Sequence, residues 1–429
     1  MINLYNFLSY KLNKSYFYKK YIRKSKRLFT SSLISKLITI VSLPLITRLY
    51  NPDNFGVYTG FAAIVGIINP IATLRYERAI VITKSKEERL KIVTAAFSIT
   101  LLISLLVLIS IIVCNFFFIR LNNFKEILLT LPIATLIIGI YQPLYYLALL
   151  EKQYSLITLS KLKQSIGSFL FHLLLYPIGS IGLIVGYIIS NGSGFESLFI
   201  KQIKYIKKDF YKKINYIPNT LKRYKDFGLF LTLSSLLSCI GNHLPRLIFL
   251  EFFGQTGLGF IGLAIGLYNI PIYLAQNTIN TFFICDVNEL SSKGLIRKEI
   301  NQILKNLLLM GIAICLIMNL FMSNMINLLF GEAWSPLANV ILLMSPLFVF
   351  ELISNTLNYV LYPSRKLKIS FLFELILASL KIIPLLVGIK LGFSFNQSIL
   401  VYVIFSCVGY ALFIAKIINT SKNKYLITD

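Results

Sequence analysis

Apolar runs of about 20 residues recur along almost the whole of this chain, and nothing else in it limits the fold so strongly. Each run is long enough to cross the roughly 30 Å hydrocarbon core of a bilayer as a helix. About twelve can be read, at 28–47, 54–74, 92–114, 127–149, 156–176, 179–200, 228–250, 257–280, 303–322, 337–361, 369–388 and 397–418. The fifth and sixth have the weakest pattern. Lys161, Lys163 and His172 dilute one, and "NGSG" (Asn191 to Gly194) loosens the other. Backbone amides in lipid need internal partners, so each run is expected to be a helix. Charged residues make up only 14 % of the chain, against about 25 % in soluble domains. The expected class is therefore an all-α polytopic membrane protein.

The basic residues orient it. With the N-terminus inside, the segments that face the cytoplasm hold about 31 of the 43 Lys and Arg, and the opposite segments about 4, among them Arg48, Arg120, Lys125 and Lys390. Both termini are expected in the cytoplasm. The formal charge of +26 then calls for no nucleic acid. The basic stretch Lys201 to Lys225 reads as an orienting loop lying on anionic lipid. Residues 1–27 read as a basic cytoplasmic segment before an uncleaved first helix, since no small-residue cleavage site follows the first apolar run. The five cysteines are scattered without a CxxC pair and read as small packing residues.

A repeat divides the chain in two. "LPLITRLYNPDNFGVYTGFAAIVGIINPI" (Leu43 to Ile71) and "LPRLIFLEFFGQTGLGFIGLAIGLYNIPI" (Leu244 to Ile272) align without a gap. A single offset pairs Pro44 with Pro245, Gly56 with Gly257, Ala63 with Ala264 and Pro70 with Pro271. Proline and glycine fix special backbone states, so coincidences among them carry weight. The offset lays the first helix on the seventh and the second on the eighth. Two six-helix bundles are expected, 28–200 and 228–418, related by a pseudo-two-fold axis along the membrane normal. A basic linker at 201–227 joins them and a short tail, 419–429, follows. Parallel repeats of this kind hold substrate between the halves near the midplane.

Ionisable groups inside a span are costly, and so are candidates for function. Helix 1 carries Lys36 and ends at Arg48. Helix 7 carries His243 and Arg246. Glu351 and Lys381 fall near the middle of helices 10 and 11, too deep to snorkel, and could pair. A structural ion pair and a gradient-coupling site both fit them. Glu374 lies one turn inside helix 11. Arg48 and Arg246 fit either snorkelling outward or a place in a cleft.

"ATLRYERAIVITKSKEE" (Ala72 to Glu88) brings Arg75, Glu77 and Arg78 to the end of helix 2. Read as a continuing helix, Arg75 and Arg78 share a face and Glu77 points away. Two guanidiniums on one face could clamp a phosphate in several hydrogen bonds. They could equally be inside-positive anchors. The chain carries no GxxxxGK[ST], no HExxH and no cluster of acids or histidines at a loop boundary. Neither ATP hydrolysis nor membrane-embedded catalysis is expected, and no cofactor or metal.

"SLPLITRLYNPDNFGVY" (Ser42 to Tyr58), "LRYERAIVITKSKEE" (Leu74 to Glu88), "GNHLPRLIFLEFFG" (Gly241 to Gly254) and "LFGEAWSPLANVILLMSP" (Leu329 to Pro346) together resemble Wzx-type polysaccharide flippases. These belong to the multidrug/oligosaccharidyl-lipid/polysaccharide exporter superfamily, and the similarity runs from about Leu28 to Ile418. The resemblance implies a transporter, not an enzyme, of the bacterial cytoplasmic (inner) membrane. Its cargo would be an undecaprenyl-diphosphate-linked oligosaccharide, an O-antigen or capsule repeat unit, and H+ or Na+ would drive it. A polysaccharide polymerase is a candidate partner. Lys36, Arg48, Arg75, Arg78, Arg246 and Lys381 are the candidate substrate contacts, and Glu351 and Glu374 the candidate coupling acids. A drug or cation antiporter of the same superfamily is the alternative. A membrane glycosyltransferase or polymerase would need larger outer loops, and a scaffold would not need buried charge.

Overall fold

The computed structural model describes residues 34–83, 85–117, 125–207, 216–225, 227–292, 296–357 and 367–420. The N-terminal segment and most of the tail lie outside these. Among the described residues, twelve long helices carry the fold. The first six are α1 (34–49), α2 (Pro52–Ala72), α3 (Lys86–Phe117), α4 (Leu131–Leu150), α5 (Tyr154–Leu174) and α6 (Ser180–Lys207). A continuous run, Thr232–Ser292, follows. It breaks at Gly254 (φ 74°, ψ −175°), a backbone region open to glycine alone. Its limbs are numbered α7 (232–253) and α8 (255–292). Then come α9 (Ile296–Phe330), α10 (Leu337–Leu357), α11 (Leu367–Lys390) and α12 (Phe395–Thr420). The two spans with the weakest sequence pattern both form full helices.

Apolar side chains point outward as well as inward. On α3, Leu101, Leu102, Leu105, Ile109 and Ile112 are exposed, and on α9 Leu309, Leu316, Ile317 and Leu320. A helix that is apolar all round suits a lipid surround. α2 to α6 pack as one bundle and α7 to α12 as another, and the heaviest packing between them is α2 on the Thr232–Ser292 run.

That crossing is backbone-close. A Cβ on Gly56 would collide with the carbonyl of Gln255, one on Gly259 with the carbonyl of Pro52, and one on Gly262 with Thr59. Asp53 accepts a hydrogen bond from Thr256 at the same crossing.

Trp334 seals this end. It sits in a short 3-10 turn after α9, is 1 % exposed, and donates its Nε1–H to the Thr47 carbonyl at 3.0 Å. Its indole lies edge-on between Phe55 of one bundle (5.3 Å) and Phe260 of the other (5.9 Å). Arg48 donates to the Leu328 carbonyl nearby. We call this the Trp334 end, and the opposite one the Arg78 end.

Of the basic stretch read as a lipid-lying loop, residues 208–215 lie outside the described residues. α6 continues to Lys207, and residues 217–223 form a short helix (Ile217–Arg223) docked on the first bundle. Tyr224 donates to Glu88 Oε1 at 2.6 Å, Arg223 pairs with the same carboxylate at 2.9 Å, and Tyr76 donates to the Leu221 carbonyl. Burial and the neighbouring Glu88 carboxylate push the Tyr224 phenol up to about 12, so it stays a donor at neutral pH.

Trp334→Ala removes the side chain that both bundles share. It should lower stability by about 3–5 kcal/mol. Trp334→Phe keeps the ring contacts and loses one hydrogen bond, at about 1 kcal/mol. Thermal unfolding of the purified variants checks the order.

Candidate functional site

The stretch around Arg75 does not continue α2. Pro70 lacks an amide hydrogen and the helix stops at Ala72. Leu74 (φ 47°) and Arg75 (φ 55°) then both adopt left-handed backbone, which costs a non-glycine residue energy and persists only where its surroundings enforce it. Glu77 supplies the enforcement. It is fully buried, accepts from Thr73 Oγ1 at 2.6 Å, and pairs with Arg75 at 3.5 Å. Helical spacing alone places Glu77 opposite Arg75. The backbone reversal brings them together instead. Arg78 follows on a 3-10 turn (Tyr76–Ile82), its guanidinium 5.1 Å from the Tyr146 ring centroid. The two arginines are therefore not a parallel clamp. Arg75 is committed to Glu77, and Arg78 keeps a cation over an aromatic face.

A second group of cations stands beside it, between the bundles. Lys36 of α1 lies 4.7 Å from the centroid of the Tyr273 ring, and Lys161 of α5 reaches the Tyr273 hydroxyl at 3.5 Å. Tyr273 belongs to α8, so the second bundle supplies the ring and the first the two ammonium groups. Lys161 also approaches the Tyr145 ring at 5.8 Å, and Tyr141 and Tyr145 stack one turn apart on α4. In the sequence, Lys161 is only a charge that dilutes a weak span. The signal available there is the Tyr141, Tyr145 and Tyr146 set. What the sequence lacks is a reason to bring α4, α5 and α8 to one place.

The remaining candidates separate. Arg48 is exposed at the Trp334 end and ties to the other bundle's backbone, away from the other cations. Arg246 has not snorkelled: its Nε is buried without a hydrogen-bond partner, within electrostatic reach of Glu351 and Tyr402. Glu351 and Lys381 do pair, at 3.9 Å, with Tyr410 between them. Glu374 lies beside Ser238 of α7. The open side of Glu351 faces a small pocket that Tyr268, Asn269, Met344 and Phe348 help to line.

Two bundles, one end closed by Trp334 and a cationic, tyrosine-lined seam at the other make a two-lobe helical membrane fold. Solved structures share it. One, titled "Lipid II flippase MurJ, inward closed conformation", aligns with a TM-score of 0.71 at 16 % identity, over 92 % of this chain and 87 % of that one. An inward-facing multidrug resistance MATE family transporter of the MOP superfamily gives 0.62 at 13 % identity, over 90 % and 95 %. A point mutant of the Vibrio cholerae MATE transporter VcmN gives 0.59 at 12 % identity, over 95 % and 98 %. No curated protein matches the sequence. A family described as "Polysaccharide biosynthesis protein" matches residues 45–339, and the chain belongs to that family.

Glu77→Ala would leave Arg75 without its counter-charge where it is largely shut from water. Breaking such a pair from one side should cost about 3 kcal/mol. Glu77→Gln keeps an acceptor for Thr73 and should cost less. Comparison of Tm for the two variants separates the ionic contribution from the hydrogen bond.

Proposed function

We propose that this chain is a flippase, moving an undecaprenyl-diphosphate-linked oligosaccharide across the bacterial cytoplasmic membrane by alternating access. One observation carries the reading: the bundles are sealed at the Trp334 end, while cations and tyrosine rings collect between them at the Arg78 end. In this proposal the Arg78 end faces the cytoplasm, which is the orientation favoured by the basic residues. Arg78 meets the diphosphate, since guanidinium groups bind phosphate oxygens in a fixed geometry. Lys36 and Lys161 add point charges further in. The faces of Tyr141, Tyr145 and Tyr273 offer flat apolar surface to sugar rings, and their hydroxyls offer hydrogen bonds. The polyprenyl tail stays in lipid. Rocking about the α2–α8 crossing would break the Trp334 seal and open the seam to the other side. An ion gradient supplies about 2.3 kcal/mol per charge moved through 100 mV, and Glu351 or Glu374 would receive the coupling ion.

Membership of the polysaccharide biosynthesis family supports a glycan cargo, and the fold shared with a lipid II flippase supports a lipid-linked one. Among the described residues the seam's cations outnumber its acids, which favours an anionic substrate over a cationic drug.

Depletion of the protein should leave lipid-linked oligosaccharide on the cytoplasmic leaflet, as read by protection from a membrane-impermeant glycan probe. Arg78→Gln and Lys161→Gln should each slow flipping by about tenfold or more, the worth of one charge-assisted hydrogen bond. Unchanged sidedness together with reduced efflux of a cationic dye would instead establish an antiporter.

A further inference from the structure

Four helices of the second bundle converge on one buried ammonium. Lys381 is fully buried in the middle of α11, too deep for its stem to reach an interface. Asn242 of α7 turns its side-chain oxygen to the Nζ at 2.7 Å. The Tyr410 hydroxyl of α12 accepts from it at 2.8 Å and donates onward to Glu351 Oε1 of α10 at 2.9 Å. That carboxylate is itself 3.9 Å from the ammonium, and the Tyr410 ring centroid is 4.6 Å away. An amide, a phenol and a carboxylate, each from a different helix, thus surround a single positive charge. Oxygen donors of these kinds are what a hard metal cation takes. Here the charge that they surround is covalently attached.

We propose that Lys381 is a tethered cation: its ammonium holds the place that a free alkali-metal ion would fill, so this bundle binds neither sodium nor potassium. Three features favour it. Glu351 is already balanced by Lys381, and Arg246 on α7 adds a second positive charge within reach of the same carboxylate, so an incoming cation meets a positive field. Space beside the ammonium, on the side away from the Glu351 pocket, is closed as well, because α7 and α11 cross tightly where Gly241 lies against Ala378. The donors are also turned inward. Tyr410 gives its proton to Glu351 and so presents a lone pair to the ammonium. His243 on α7, Glu374 on α11 and Tyr402 on α12 flank the group. A gradient acting through this bundle would then work on the proton of a carboxylate, Glu351 or Glu374, and not on sodium occupancy. That last consequence rests on the transporter reading. The statement about the cation does not.

The test needs no transport. Full-length protein in lipid nanodiscs is unfolded thermally in sodium chloride, in potassium chloride and in choline chloride of equal ionic strength. Wild type should give one Tm in all three. Lys381→Ala empties the oxygen cage, and its Tm should rise by several degrees in sodium or potassium chloride, as binding to the folded state alone dictates. Adding Glu351→Gln to that variant should abolish the rise. Lys381→Met fills the space without the charge and should show none. A saturable sodium or potassium response in the wild type would overturn the proposal. So would a folded Lys381→Ala protein indifferent to both salts. If Lys381→Ala does not fold, radiolabelled sodium binding to wild type and Lys381→Met decides: uptake by the wild type sinks the idea, and none in either upholds it. Loss of the flippase reading would leave every one of these outcomes unchanged.

Discussion

The two bundles meet where α2 and α8 cross with almost no side chain between them, and the rest of the structure is arranged around that contact. Gly56 and Gly259 let backbone approach backbone, and Gly262 takes Thr59. Lipid supplies little drive to push apolar helices together, so membrane helices associate through close packing and hydrogen bonds. Small residues at the crossing supply the first, and the Thr256–Asp53 bond the second. Trp334 then fills the angle between the bundles with an indole gripped by one phenylalanine from each side. The crossing lies toward one end; toward the other, Lys36 and Lys161 of the first bundle reach Tyr273 of the second.

Each bundle handles its buried charge differently. In the first, Glu77 is the fixed point. It holds Arg75 and Thr73 in a reversed backbone and so sets where Arg78 emerges. In the second, Lys381 is the fixed point, and Asn242, Tyr410 and Glu351 are placed around it. Buried ions are tolerable only with good geometry and further hydrogen bonds. The second cluster meets that condition with partners from three other helices, the first by a backbone reversal that folds Thr73 and Arg75 onto Glu77 within one segment. The acid that locks the first bundle is wholly buried, whereas Glu351 keeps 25 % of its side chain exposed. Of the two, Glu351 alone has a side open to a pocket.

Much of the fold was legible because bilayer physics is so restrictive. Runs such as 92–114 and 397–418 could only be helices, and the paired prolines and glycines of residues 43–71 and 244–272 exposed the duplication. Local backbone was less legible. Nothing in "LRYER" announces two left-handed residues in succession, since neither leucine nor arginine favours them. The pairing of Arg75 with Glu77 followed from that reversal and could not have been read from helical spacing. Lys161 was equally hidden. A lysine near a helix end is usually an anchor, and only the approach of α8 gives it Tyr273.

The sequence by itself determined the class, the number of helices and the division into two related halves. Hydrocarbon leaves backbone amides no other partners, and repeat spacing survives any packing. Tertiary structure alone decided which charges share a site. Arg48 and Arg78 are equivalent as letters, yet one ties the bundles at the sealed end and the other faces a tyrosine at the opposite end. That difference comes from where the chain reverses and which helix arrives from the other bundle. Neither is encoded in the local run of residues around either arginine.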